Sequence, residues 1–99
     1  MRIDHQTAKE IPKLAEDIFG QPVEVRLFGS RLDDQARGGD LDIYIESTSV
    51  VDRPAYLSSI LAARISRLLN GRSVDVLLKA PNLMETDIHR IAKEQGELL

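Results

Sequence analysis

Val23-Glu24-Val25-Arg26-Leu27-Phe28-Gly29-Ser30, and after a polar interval Gly39-Asp40-Leu41-Asp42-Ile43-Tyr44-Ile45-Glu46, are the stretches that decide the architecture of this chain. Each alternates apolar with polar or charged residues, the period of a strand with one face on a core. In the first, Gly29 permits a sharp turn directly after the strand. In the second, Asp40 and Asp42 project from one side while Leu41, Ile43 and Ile45 point to the other. Two acids thus share a face at the start of a strand otherwise committed to an apolar layer. At about 4 Å they would repel by about 4 kcal/mol at an effective dielectric of 20, so a cation is expected to offset them.

Working outward, the interval from Arg31 to Gly39 is poor in apolar anchors and reads as a loop with one helical turn. Upstream, Ala8, Ile11, Leu14, Ala15, Ile18 and Phe19 fall at helical spacing and end at Gly20 and Pro22. The start of this helix is ambiguous: Thr7-x-x-Glu10 has the form of a capping box, whereas Pro12 prefers a first turn. Downstream, Arg53 to Asn70 sets Leu57, Ile60, Leu61, Ile65, Leu68 and Leu69 on one helical face, with Pro54 suited to its first turn. Ser73 to Leu78 is a third strand, dense in aliphatic residues but carrying Asp75. Asn82-x-x-Glu85 is expected to cap a last helix bearing Ile88, Ile91 and Ala92, stopped near Gly96. The order is α, β, β, α, β, α, an α+β chain with a small mixed sheet and helices packed on one face.

At 99 residues the chain is one domain's worth, and 42% hydrophobic with 29% charged residues is ordinary for a folded protein. No apolar run approaches the roughly 20 residues of a bilayer span, and Met1 to Gln6 has no apolar leader core. A cytoplasmic protein without membrane association is expected. Zero cysteines exclude disulfides and thiolate metal sites. A net charge of −3 works against broad adhesion to phosphate backbones, so stable nucleic-acid binding is not expected.

If the third strand lies beside the second with Asp75 on the side of Asp40 and Asp42, three acids form an oxygen-rich cluster suited to Mg²⁺ or Mn²⁺. Carboxylates holding two such ions serve in-line displacement at phosphorus. Taken separately, Asp40 and Asp42 also fit a solvated strand end, and Asp75 a strand acid paired with Arg26. The added ingredient is Gly29-Ser30, whose backbone N–H groups and hydroxyl suit a phosphate.

The run Phe28-Gly29-Ser30-Arg31 … Gly38-Gly39-Asp40-Leu41-Asp42-Ile43, with Asp75 on the next strand, resembles the signature of the polymerase-beta-like nucleotidyltransferases: Gly-Ser, a spacer of about ten residues, and Asp-x-Asp. The resemblance spans nearly the whole chain. It is closest to the minimal nucleotidyltransferases encoded beside HEPN-domain proteins, so residues 1–99 are expected to be a single minimal nucleotidyltransferase domain. The resemblance implies that Gly29 and Ser30 grip the β/γ-phosphates of ATP, that Asp40, Asp42 and Asp75 hold two Mg²⁺ ions, and that Asp75 helps deprotonate the acceptor hydroxyl. Gly39 stands where many relatives have serine, and Arg31 and Arg37 flank the site, either on triphosphate oxygens or paired with Asp33 and Asp34. It further implies an antitoxin that moves AMP from Mg·ATP onto a tyrosine of a partner HEPN toxin. Two other functions remain open: a non-catalytic module that silences the toxin by occupying it, and nucleotidyl transfer to a small molecule such as an aminoglycoside.

Other residues carry less. Tyr44 shares the face of Asp42 and is read as packing rather than as a platform for a base. His5 and His89 have no partners at metal-ligand spacing and are expected at the surface. Arg64, Arg67 and Arg72 read as a solvated positive edge. Tyr56, Ala62 and Ala63 widen the apolar stripe of the second long helix beyond what a core needs, which suggests association with a partner or with a second copy.

Overall fold

The computed structural model describes residues 3–28 and 41–99. Its elements are α1 (His5–Phe19), β1 (Glu24–Phe28), β2 (Leu41–Glu46), α2 (Pro54–Leu68), β3 (Val74–Lys79), α3 (Asp87–Gln95) and β4 (Glu97–Leu98). Among the described residues the strands form one mixed sheet in the order β3-β2-β1-β4. β1 and β2 are antiparallel, whereas β2 and β3 are parallel and joined through α2, the crossover that parallel pairing requires.

Alternation along β2 sorts the layers. Leu41, Ile43 and Ile45 are fully buried and meet Ile11 and Ala15 of α1 and Leu61 and Ile65 of α2. Asp42, Tyr44 and Glu46 point to the other side, where Phe28, Tyr44, Leu77 and Ala92 make a second, smaller cluster beneath α3. The expected α+β class with a small mixed sheet is therefore what the chain adopts, with α1 and α2 on the expected common face. α3 differs: it covers the opposite face, so the sheet is sandwiched over part of its width.

The ends of the elements follow from local chemistry. α1 starts a turn earlier than Thr7-x-x-Glu10 suggests, because the Asp4 carboxylate accepts the Thr7 N–H at 2.7 Å. That bond holds the Asp4 carboxyl below its usual range. Pro12 consequently sits within the helix. α1 stops at Gly20, whose φ of 71° is left-handed and lets its N–H close on the Glu16 carbonyl.

Asn82 does not cap α3. Its side chain straddles Val51 instead, accepting the Val51 N–H at 3.1 Å and donating to the Val51 carbonyl at 2.9 Å. Thr86 is the residue that opens α3. At its far end Gly96 is squeezed between helix and sheet, since a methyl there would overlap the Ala92 carbonyl oxygen and reach Arg26 Cβ. Only a residue without Cβ lets the chain turn from α3 into β4 so close to β1. Among the described residues no helix is long and apolar enough to cross a membrane.

Candidate functional site

β2 and β3 run parallel with Asp42 and Asp75 as direct register partners. Register partners in neighbouring strands, about 4.8 Å apart, project from the same face. The two acids therefore stand side by side on the face that α3 covers, away from the α1–α2 layer. Asp42 is half-buried and Asp75 exposed. On the other flank, the antiparallel register of β1 sets Phe28 beside Asp42.

Five of the expected site residues, Gly29, Ser30, Arg31, Gly39 and Asp40, lie outside the described residues, as does Arg37. The structure brings Asp42 and Asp75 together. Among the described residues no three acids or imidazoles assemble into a ligand set. The pairing of Asp75 with Arg26 is not found, because β2 lies between their strands. Arg26 instead donates to the Glu24 carboxylate at 2.9 Å on its own strand.

Tyr44, two residues beyond Asp42 on the same face, is the largest fully buried side chain among the described residues. Its ring packs with Phe28, Leu77 and Ala92 and is met edge-on by His89, with centroids 6.4 Å apart. Its hydroxyl donates to Glu46 Oε1 at 3.2 Å, while Lys93 Nζ donates to the other oxygen of Glu46 at 3.3 Å. The reading of Tyr44 as packing agrees with this burial. Loss of water around the phenol, reinforced by the Glu46 charge, pushes its pKa well above the ordinary value of about 10. A raised folded-state value means that this contribution to stability is complete below about pH 10 and fades as pH climbs toward the folded value. Urea unfolding at pH 9 and 11 is expected to show a larger alkaline loss for the wild type than for Tyr44→Phe. Equal losses would show that Tyr44 is not the group responsible.

His89 is a correction to its expected surface position: it is 7% exposed and tied at both ring nitrogens. Nδ1 lies 3.0 Å from the Thr86 N–H and Nε2 lies 3.0 Å from the Leu78 carbonyl oxygen. A carbonyl can only accept, so Nε2 carries the proton and Nδ1 receives the Thr86 N–H. The imidazole takes the place of the Glu of an ordinary capping box, and the spacing Thr86-x-x-His89 was the signal for it.

Sequence reasoning also missed a cavity of about 240 Å³ beside Asp75, lined by Ser58, Ser59 and Ala62 of α2 and by residues 74–76 of β3. Its trace in the sequence is the pair of small residues Ser58 and Ala62, four apart and hence on one face of α2.

No family model matches the sequence, and no curated protein matches it. Among solved structures the chain is similar to a chain of the crystal structure of the toxin-antitoxin MntA-HepT, at a TM-score of 0.64 and 22% identity, covering 96% of this chain and 70% of that one. At this identity the likeness is one of fold alone: this chain shares with that one the arrangement of a small mixed sheet and its packed helices.

Proposed function

We propose that this protein transfers AMP from Mg·ATP to a hydroxyl, a tyrosine in the resemblance, of a HEPN-type partner toxin, and so acts as an antitoxin. The observation that carries the reading is the in-register placement of Asp42 beside Asp75 on one face. The fold likeness to the MntA-HepT structure supports it.

The donor set fits the metal: Asp42 and Asp75 offer hard carboxylate oxygens from neighbouring strands, the chemistry that Mg²⁺ and Mn²⁺ take, and Asp40 would complete it. When bound, the ions supply neutralising charge at the reacting phosphate. Gly29, Ser30, Arg31 and Gly39 would hold the triphosphate. Asp75, the more exposed acid, would receive the proton of an incoming hydroxyl.

A second reading, silencing by occupancy alone, draws on the apolar outer side of α3 and the turn before it, where Met84, Ile88 and Ile91 are exposed. Incubating the chain with ATP labelled at the α-phosphate, Mg²⁺ and the purified HEPN-domain partner separates the two. Label on the partner, lost on chelation of the metal, is expected. A stable complex that never acquires label overturns transfer in favour of occupancy.

A further inference from the structure

The ladder between β2 and β3 fixes which backbone groups of β3 remain for something else. Leu41 N–H donates to the Ser73 carbonyl and Ser47 N–H to the Lys79 carbonyl, each at 2.9 Å. In a parallel ladder the strand that is bonded at residues 73, 75, 77 and 79 turns the N–H and C=O groups of the alternate residues away. Val74, Val76 and Leu78 therefore face the outer edge, where no described strand lies. The Leu78 carbonyl is taken by His89 Nε2 at 3.0 Å, which closes one end of the edge. Among the described residues the stretch around Val74 and Val76 is left without a strand partner on this side, and Asp75 sits in its middle.

We propose that this edge of β3 is the acceptor-docking surface: an extended segment of the partner protein adds as a further strand along residues 74–76, with its hydroxyl-bearing residue opposite Asp75. The proposal rests on the AMP-transfer reading and names how the acceptor is held. Strand addition takes its affinity from main-chain hydrogen bonds and its selectivity from pockets for alternate side chains. Both are present. A residue opposite Asp75 would project from the same face with Cβ atoms about 5 Å apart, setting its side chain alongside the carboxylate. Its sequence neighbours would point to the α2 side, where the cavity of about 240 Å³ lined by Ser58, Ser59 and Ala62 can take a small side chain. In the step so arranged, the hydroxyl oxygen bonds to the α-phosphorus of ATP and the bond from that phosphorus to the bridging oxygen breaks. Pyrophosphate leaves with the electron pair, and the hydroxyl proton passes to Asp75.

A second copy is the less suitable occupant. Two β3 edges paired about their accessible middle would bring the Asp75 carboxylates of both copies together on one sheet, and like charges in such positions disfavour edge-to-edge pairing.

The test uses the full chain with the HEPN-domain partner. Val76→Pro removes an outward N–H without touching the β2 ladder, and Ala62→Leu fills the cavity from α2. Each is expected to raise the KM for the partner about tenfold, the worth of one hydrogen bond or one misfitted side chain, with the KM for ATP unchanged. Independently of any variant, hydrogen exchange on the wild-type chain is expected to show the Val76 amide protected when the partner binds. A Val76 amide that exchanges equally with and without partner, or folded variants with wild-type KM for it, overturn the edge proposal while transfer itself stands. A wild-type dimer that either variant dissociates assigns the edge to a second copy and likewise overturns it. Absence of label transfer by the wild type sinks the AMP-transfer reading, and the edge proposal with it.

Discussion

Asp42→Asn is expected to lower AMP transfer by about 10²–10³-fold, the loss typical when one preorganised charge-stabilising group is removed from a site, while the chain stays folded. The amide keeps the shape of the carboxylate and its place in the β2 ladder, but it surrenders the charge that would draw the proposed divalent ion. The effect should be visible without catalysis. With Mn²⁺ and a non-hydrolysable ATP analogue at a hundred times their dissociation constant, mass action adds about 2.7 kcal/mol to wild-type stability. For a domain of this size that raises the melting temperature by on the order of 10 °C. Asp42→Asn, and by the register argument Asp75→Asn, should lose most of that rise. A full rise in both variants would place the metal elsewhere. A transfer-dead Asp42→Asn that still protects cells from the toxin would make occupancy the operative mechanism.

The largest loss of stability is expected at Tyr44, immediately behind the candidate site. Tyr44→Ala removes a fully buried ring at a cost of about 3–5 kcal/mol, the range for truncating a large aromatic residue in a core. Small domains hold only about 5–15 kcal/mol in total, so a melting temperature lower by about 15 °C or more should follow. Tyr44→Phe, which keeps the ring against Phe28, Leu77 and Ala92 and gives up only the bond to Glu46, should cost far less. If the two variants melt together, the hydroxyl and not the ring organises this layer.

The sequence makes the centre of the molecule legible for a simple reason: strand alternation is a local rule. Leu41-Asp42-Ile43 and Val74-Asp75-Val76 each announce which side chains share a face, and only the register between them had to be supplied by the fold. Residues on the periphery answer to neighbours that periodicity does not name. Of the expected stripe of α3 only Ala92 is buried; Ile88 and Ile91 are 47% and 44% exposed, and His89 is buried in their stead. Tyr44 already fills the space above β2, so a small alanine and a ring that can bond at both nitrogens approach more closely than branched chains would. Asn82 has the form of a helix cap but satisfies the backbone of Val51, thirty-one positions away in sequence. Arg26 is a plausible partner for Asp75 until a whole strand is found between them.

His89 joins three things at once: the first turn of α3, the ring of Tyr44 and the outermost carbonyl of β3. By occupying that carbonyl it acts as a stopper on the sheet, so a guest strand runs out of partners a few residues past Asp75. The rim then has a direction and a measure. It admits a short segment from the Val74 end, holds it in one frame, and offers no long unguarded border along which unrelated chains could stack into fibres.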